Sequence, residues 1–330
     1  MLASSEAFFI GRFNMKSITV DTECYTNYFL AKFKNHENGK TVSIQSLNDS
    51  PLDRRKLLAM MQKHRTIGFN SLNYDLPMIS AAIAGWSNAR LKKLSDEIIL
   101  NGQPHWQTYK CHDLKQWAFD HIDIKEPSAG VMVSLKLYGG RLNAPKLQDL
   151  PIEPDATISE ADAVLLDRYC ENDLDTTWLL YAKQSQQFQL RADMSAQYGV
   201  DLLSKSDAQV AEAVFRHELE REGVNVQKVK LPSNYSFKFN RPDWLTFKSN
   251  KLNEMLDLVM SCEFKLSAAM QPLLPKEINK AFEFNGSMYK FGIGGLHSQE
   301  SKQIVIADAD HQLFDIDVAS YYPNIILGQG

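Results

Sequence analysis

The chain has 330 residues, of which 44% are hydrophobic and 23% charged, and its net charge at pH 7 is −4. This composition excludes a wholly disordered, collagen-like or simple coiled-coil protein, and the length predicts about two domains. With 36 basic and 40 acidic residues, the chain has no overall positive field, so any polyanion must be bound through local patches or metal ions.

Cysteine usage and hydropathy indicate where such a chain works. The four cysteines lie far apart and form no CxxC pair, which argues against a disulfide framework or a structural zinc site and favours a reducing cytoplasm. No stretch approaches the roughly 18 apolar residues that a membrane-spanning helix needs. We therefore expect no membrane partner.

Strand and helix signals alternate along residues 15–190. Residues 1–14 are interpreted as an upstream extension, because MKSITVDTE, beginning at Met15, is typical of a natural start. The predicted elements that follow are three strands, a helix and a short buried strand, at residues 18–20, 28–34, 41–44, 53–63 and 66–70. Strands followed by βα units predict an α/β domain with a mixed sheet flanked by helices.

Start and stop signals place further helices. Pro77 lies near the start of one helix and Gly85 near its end. The clearest helix of the chain is predicted over 159–187, where Ser159 and Asp162 form a capping pattern. Another long helix is predicted from about Ser206 to Glu222.

Two carboxylates end the first strand. Asp21 and Glu23 are two residues apart, so both side chains point to the same face and can share one cation. A D-x-E pattern is expected about once by chance in a chain of this length. Taken alone, it is more often a strand end with two solvated acids.

A third carboxylate follows the next predicted strand. Asp75 lies in GFNSLNYDLP, where that strand gives way to a helix. A functional acid and a helix-capping acid are both compatible with this position. Either Asn70 or Asn73 could have a polar role in a site beside Asp75, since only their spacing from it distinguishes them.

A fourth carboxylate lies on the clearest helix. At steps of three and four residues, one face of this helix carries Leu166, Tyr169, Asp173, Thr177 and Leu180. An unpaired carboxylate in such an apolar stripe is costly, so Asp173 requires a partner, which is either a basic side chain or a metal ion. Asp175 lies on another side of the helix and is expected to be exposed.

Taken together, the four carboxylates are stronger evidence for a metal site than any one of them. Asp21, Glu23, Asp75 and Asp173 offer the hard oxygen ligands that suit Mg²⁺ or Mn²⁺, and no His or Cys cluster competes with them. Such a set is what a two-metal phosphodiester site requires, in which the ions activate water and neutralise the leaving oxygen.

At this point the chain resembles a known family. DTE at 21–23, NSLNYD at 70–75 and YCEND at 169–173 resemble, in this order, the three exonuclease motifs of family B DNA polymerases. The intervening SLKLYGGRLNAPKLQDLP resembles the corresponding region of phage-like members. The resemblance implies an RNase H-like (DnaQ-like) fold over 15–190 and 3′→5′ proofreading removal of nucleotides from DNA, in the cytoplasm of a bacterium or a phage-infected cell.

The resemblance also implies roles for single residues. The four acids would bind two Mg²⁺ or Mn²⁺ ions, Tyr169 would orient the attacking water, and Asn70 would contact the terminal nucleotide. Arg141 and Lys146, which flank the NAP turn near this site, are our candidates for phosphate contacts.

The C-terminal part resembles the same family. Prolines predict that residues 225–290 are irregular, and alternation of apolar and acidic residues predicts a strand over 313–318. DVASYYP at 317–323 resembles the first polymerase motif, which implies that Asp317 would hold metal ions, Ser320 matches the motif serine and Tyr322 would line the sugar pocket. Tyr321 replaces the usual leucine.

A glycine pair precedes that motif. FGIGGLHS at 291–298 resembles the Tyr-x-Gly-Gly segment that links the exonuclease and polymerase halves of the family and touches template DNA. Gly294 and Gly295 would make that contact, since glycine backbone amides can approach phosphate closely. Gly292 stands where the tyrosine is expected.

The expected organisation is an exonuclease without a complete polymerase. After the extension at 1–14, we expect an exonuclease domain at 15–190, a linker helix with an irregular connection at 191–290, and an incomplete palm at 291–330. No YxDTD-like segment is present, so we do not expect this chain to polymerise by itself.

Its expected partner is single-stranded or primer–template DNA. A non-catalytic alternative is a DNA- or subunit-binding fragment completed by a separate C-terminal polymerase half. A stand-alone nuclease acting on RNA is a third hypothesis, against which the motif at 317–323 argues.

Overall fold

The structure of the protein is a computed structural model that describes residues 17–329, apart from 103, 129–132, 228–230, 233, 268–270 and 303. The extension at 1–14 therefore lies outside the described residues. Contacts divide the chain into two compact units, with the division between Val226 and Gln227. The expected boundary at residue 190 falls within a helix of the first unit.

The first unit is an α/β structure. Its strands are β1 Ser17–Tyr25, β2 Tyr28–Lys34, β3 Thr41–Leu47, β4 Arg65–Gly68 and β5 His121–Asp123. Its helices are α1 Arg54–Lys63, α2 Asp75–Ala84, α3 Asn88–Asn101, α4 His105–Cys111, α5 Leu135–Arg141, α6 Glu160–Lys183, α7 Ser185–Tyr198 and α8 Asp207–Arg221. None of the helices in the described part of the chain is long and apolar enough to cross a membrane.

The five strands form one mixed sheet in the order β3-β2-β1-β4-β5. β1, β2 and β3 are antiparallel neighbours, whereas β4 runs parallel to β1 and β5 parallel to β4. This arrangement confirms the predicted α/β class with a mixed sheet flanked by helices. It also makes β1 the central strand, hydrogen-bonded on both sides.

Alternation along β1 separates two faces of the sheet. Ile18, Val20 and Cys24 pack into a core with α1, α2 and α3. On the opposite face, Tyr25 packs with β2 and with α6 through Leu166 and Cys170. Because side chains two residues apart share a face, Asp21 and Glu23 point to the side on which α6 lies.

The predicted helix ends are formed by local side-chain bonds. Ser159 Oγ accepts from the Asp162 backbone N–H at 3.2 Å, and the Asp162 carboxylate accepts from the Ser159 N–H at 2.9 Å, which confirms the predicted capping pattern at the start of α6. Gly85 ends α2 with a φ of 87°, a conformation that glycine adopts without a steric penalty.

Two lysines of β2 set the register of α6 over the sheet. Lys32 Nζ lies 2.6 Å from Asp167 Oδ2 and 3.0 Å from Glu171 Oε2, and its side chain is only 1% exposed. Lys34 Nζ lies 3.0 Å from Glu171 Oε1 and 2.7 Å from Asp175 Oδ1. Consecutive turns of α6 are thereby tied to one strand, which fixes the helix face turned to β1.

The end of β4 is a site of close packing, and it gives a first prediction. A Cβ on Gly68 would lie 2.6 Å from Ser71 Cβ and 3.3 Å from the Val20 carbonyl oxygen. Ser71 is fully buried and its hydroxyl lies 2.7 Å from His121 Nε2, so it cannot move aside freely. We expect Gly68→Ala to lower the free energy of unfolding by about 1–3 kcal/mol, measured by urea denaturation.

Gly140→Ala is the matched control, since Gly140 is helical and its added Cβ would meet nothing closer than Leu147 Cδ1 at 3.8 Å. Alanine is favoured over glycine inside helices by up to about 1 kcal/mol. An unchanged urea midpoint in Gly68→Ala would contradict the prediction, because it would show that Ser71 and the loop after β4 can move to accommodate the added methyl group.

The second unit contains short strands and two helices among its described residues. They are β6 Ser236–Phe237, α9 Asn250–Ser261, β7 Phe264–Leu266, β8 Pro272–Leu273, β9 Ala281–Phe284, β10 Ser287–Gly292, β11 Gly295–Ser298 and α10 Tyr321–Gln329. The prediction that 225–290 is irregular was wrong for α9, because Pro242 and Pro272 bracket this amphipathic segment and do not interrupt it.

The predicted strand at 313–318 was also wrong. Within the described residues, this segment is not part of any sheet, and Phe314 and Ile316 are exposed. An extended segment with no hydrogen-bonded neighbour is not stable as a strand, whatever its alternation.

Candidate metal centre

The central strand β1 and the helix α6, which packs against the sheet, bring three possible metal-ligand groups together. Asp21 and Glu23 of β1 and Cys170 of α6 each offer one ligand atom, and these atoms all lie within 4.8 Å of one another. The Cys170 thiol donates to Asp21 Oδ2 at 3.5 Å. Cys170 was not among the predicted site residues, and its place within the YCEND segment was its only signal.

Asp75 joins the cluster from the first turn of α2. It is buried, and its Oδ1 accepts a hydrogen bond of 2.6 Å from the Thr22 hydroxyl of β1. The alternative that Asp75 caps the helix was wrong, because Tyr74 is the N-cap residue and Asp75 the first helical residue. The Asp75 charge helps to raise the pKa of both Asp21 and Glu23, so the acids are close enough to repel one another.

Asp173 completes the cluster from α6. The Tyr169 hydroxyl and the Asn172 side chain donate to its carboxylate. The nearby positive charge of Lys136 also favours its ionised form, although Lys136 itself pairs with Asp149 at 3.0 Å. Among the described residues Asp173 forms no salt bridge, and its partners are these two hydrogen-bond donors and the more distant lysine charge.

Burial and mutual repulsion dominate the electrostatics of the cluster. The pKa of Asp21 is raised well above its usual range by burial and by the charges of Asp75, Glu23 and Asp173. Burial, followed by the charges of Asp173 and Asp75, likewise raises the pKa of Glu23. Burial raises the pKa of Asp173 as well, against the hydrogen bonds it receives. A divalent cation would relieve this repulsion.

Tyr169 is placed to act as a hydrogen-bond donor. Its pKa is raised by burial and by the charges of Asp173, Glu23 and Asp21, so its hydroxyl keeps its proton at neutral pH. Asp175, two residues beyond Asp173, is exposed as predicted but pairs with Lys34.

The donor set fits Mg²⁺ or Mn²⁺. Asp21 and Glu23 supply the hard oxygen ligands that these ions prefer, and the charges of Asp75 and Asp173 act on both of them. The Cys170 thiol adds a softer donor at the edge of the set. These residues could hold the predicted cations.

The cluster gives a prediction for stability against pH. Burial is the largest cause that raises the pKa of Asp75 to about 7 in the folded chain, against about 3.9 in an unfolded chain. The folded state therefore binds more protons between these values, and the stabilisation present below about pH 4 is lost as the pH rises through about 7. In EDTA at about pH 8, we expect Asp75→Asn to be more stable than wild type by on the order of 2 kcal/mol.

At about pH 5 the wild-type carboxyl is mostly protonated in the folded chain but ionised in the unfolded chain, so we expect less than half of the difference seen at about pH 8. Asparagine keeps an acceptor for the Thr22 hydroxyl, so the comparison isolates the charge. A stability difference that did not change with pH would contradict the assigned pKa.

The loop between β4 and α2 holds Asn70. Asn70 has a φ of 59°, and its backbone N–H donates to Asp123 Oδ1 at 2.9 Å. Its side-chain oxygen accepts from Lys125 Nζ at 2.9 Å and from Asn73 Nδ2 at 3.3 Å. Asp123 was missed by the sequence analysis because its three-residue strand carries no distinctive pattern. It also accepts from the Leu72 and Lys125 N–H groups and so shapes the loop.

The two predicted phosphate contacts take different positions. Arg141 is the last residue of α5 and is exposed. Lys146 is exposed and lines a cavity along α6.

The remaining predicted residues all lie in the second unit. Gly294 lies in the two-residue turn between Gly292 and Gly295, which are paired across β10 and β11. Asp317 is exposed and accepts only from the neighbouring Val318 N–H among the described bonds, at 2.8 Å. Ser320 precedes α10 with a φ of 51°, and Tyr322 is an exposed residue of that helix.

Comparison of the sequence with protein-family models and with curated proteins finds no match. The function of this site therefore has to be inferred from its geometry and chemistry.

Proposed function

We propose that the chain is a metal-dependent 3′→5′ DNA exonuclease of RNase H-like fold, the proofreading portion of a family B DNA polymerase lineage. The observation that carries this proposal is the pair Asp21 and Glu23 on β1, on which the charges of Asp75 and Asp173 both act. These acids come from three separated segments, which are those that resemble the three exonuclease motifs. The five-stranded mixed sheet with β1 at its centre is compatible with the proposed fold.

The side chains of the cluster have separable roles. The four carboxylates would hold two Mg²⁺ or Mn²⁺ ions, which supply a water of lowered pKa and charge neutralisation at the leaving oxygen. The Tyr169 hydroxyl, protonated at neutral pH, donates a hydrogen bond to Asp173 and would orient the attacking water. Asn172 donates a second side-chain hydrogen bond to the Asp173 carboxylate and so helps to fix its orientation.

Charge also sets the conditions for activity. Protons compete with cations for the raised-pKa carboxylates Asp21, Glu23 and Asp75, so cation binding strengthens as the pH rises. The proposed substrate is an unpaired 3′ end of DNA, with Asn70, Arg141 and Lys146 as candidate contacts.

The test is digestion of single-stranded DNA labelled at its 5′ end, by the full chain with Mg²⁺ or Mn²⁺. We expect a ladder that shortens from the 3′ end and that EDTA abolishes. A folded wild-type chain that leaves the DNA intact under both cations would refute the proposal.

The second unit supports a second candidate, a fragment that is completed by a separate polymerase half. Apolar side chains of its C-terminal segment are exposed and unpartnered within the described residues, among them Ile304, Ile306, Phe314 and Ile316. A folded chain that binds DNA without digesting it would favour this candidate over the exonuclease.

A further inference from the structure

A cavity of about 650 Å³ lies along α6 on a side of the helix not used by the acidic cluster. Its walls include the turn at Pro145 and Lys146, and its lining residues on the helix run from Arg168 to Ala182. At 1.5 Å per residue, Arg168 and Trp178 are about 15 Å apart along the helix axis. The cavity is therefore an elongated groove, referred to below as the α6 groove.

One part of the α6 groove is aromatic. The rings of His36 and Trp178, which both line it, are stacked with centroids 4.7 Å apart and an interplanar angle of 1°. His36 Nε2 lies 2.8 Å from the Thr19 hydroxyl of β1, which holds the ring in place. Burial lowers the pKa of His36 to about 4, although Asp175 lies 3.6 Å from its Nδ1. The His36 side chain is neutral and only 8% exposed, so it fixes the half-buried Trp178, whose ring is the part of the pair on which a base can stack.

The α6 groove is also lined by two acids and two cations. Its acids Glu171 and Asp175 are already paired with Lys34, and Glu171 also with Lys32. Lys146 and Arg168, by contrast, have no salt bridge to any described residue. Lys146 and Arg168 are therefore the charged groups of the lining that can contact an anionic ligand.

The α6 groove also adjoins the acidic cluster. Asn172 lines the groove, and its side chain donates to the Asp173 carboxylate. A ligand in the groove would consequently lie one side chain away from the metal ligands on α6.

We propose that the α6 groove binds an unpaired nucleic-acid strand, with a base against the His36–Trp178 pair and phosphates at Lys146 and Arg168. A stacked strand rises about 3.4 Å per nucleotide, so the distance of about 15 Å along the helix accommodates a few nucleotides but exceeds the reach of one. The proposal deepens the proposed function and depends on it for the assignment of the strand as DNA substrate.

The experiment follows the indole N–H resonance of Trp178 in the ¹⁵N-labelled full chain, kept in EDTA so that no digestion occurs. Trp178→Phe assigns the resonance. On addition of a short oligothymidylate we expect the Trp178 signal to shift while that of Trp244, in the second unit, does not. Thymidine monophosphate and inorganic phosphate are added separately and are expected to shift it much less at equal phosphate concentration.

Affinity is then measured by fluorescence anisotropy with a labelled oligothymidylate. Lys146→Ala and Arg168→Ala are each expected to weaken binding about three- to tenfold and to reduce the slope of log K against log salt by about 0.7. Lys56→Ala is the matched control, because Lys56 is an exposed cation of α1, which packs on the other face of the sheet. It should leave the affinity and the slope unchanged.

Three results would overturn the proposal: a Trp178 signal that does not move with saturating oligothymidylate, an equal loss of affinity in Lys56→Ala, or an equal shift with the mononucleotide. The outcome is separable from that of the digestion test. A chain that digests DNA while Trp178 stays unchanged refutes only the groove, whereas a shift without digestion refutes only the nuclease.

Discussion

Asp21→Ala/Glu23→Ala is expected to lower the rate of DNA shortening by about three orders of magnitude or more. Both acids come from β1 and lie with Cys170 within 4.8 Å, so their loss leaves no shared oxygen ligand on the strand. The measurement is the initial rate of release from 5′-labelled single-stranded DNA with Mg²⁺ or Mn²⁺.

The same double variant is not expected to unfold. The pKa values of Asp21 and Glu23 are raised by burial and by repulsion from their acidic neighbours, so their ionised forms destabilise the metal-free chain at neutral pH. In EDTA, the variant should unfold at a urea concentration at least as high as that of wild type. Lost activity can then be attributed to lost ligands.

Glu160→Gln serves as the carboxylate control, since Glu160 lies exposed in the first turn of α6 and outside the cluster. Its digestion rate should match that of wild type. If the double variant kept more than about a tenth of the wild-type rate, a change of under about 1.4 kcal/mol in the barrier, these acids would not be the metal ligands of the reaction.

Lys32→Met is expected to lower the free energy of unfolding by about 3 kcal/mol. Lys32 is 1% exposed, and its Nζ donates to the Asp167 carbonyl oxygen at 2.8 Å and to the carboxylates of Asp167 and Glu171. Methionine fills most of the space of the lysine stem but leaves those acceptors without their buried cation. The measurement is urea denaturation at neutral pH.

Lys34→Met is the matched control. Lys34 also pairs with α6, but its side chain is 14% exposed and its partner Asp175 is half exposed, so we expect a loss of about 1 kcal/mol or less. Equal losses in the two variants would contradict the assignment of Lys32 as the main tie between the sheet and α6. Because α6 carries Tyr169 and Asp173, Lys32→Met should also weaken activation by Mg²⁺.

Much of the first unit could be predicted from local sequence patterns. The three strands of the opening meander, the α2 end at Gly85 and the capping box at Ser159 all depend on residues within a few positions of one another. Asp21, Glu23 and Asp173 were placed on the correct faces for the same reason, since strand and helix periods are set by the backbone.

The secondary-structure and capping predictions failed where the structure depends on residues outside the local sequence. The segment 313–318 has a strand-like alternation, yet among the described residues no strand pairs with it. The helix α9 was not predicted, because the prolines on either side of it indicated an irregular segment. Asp75 matched a helix cap in sequence, but its carboxylate is turned to the Thr22 hydroxyl, 53 residues away.

The sequence by itself determined which elements carry the four carboxylates, because their spacing fits one strand face, a strand–helix junction and one helix face. Only the tertiary structure decided what surrounds them. Lys32 and Asp167 are 135 residues apart, and Cys170 and Asp21 are 149 apart. Such contacts arise when α6 packs across the sheet, and burial there, which no local pattern encodes, is what raises the pKa values of the acids and forms the α6 groove.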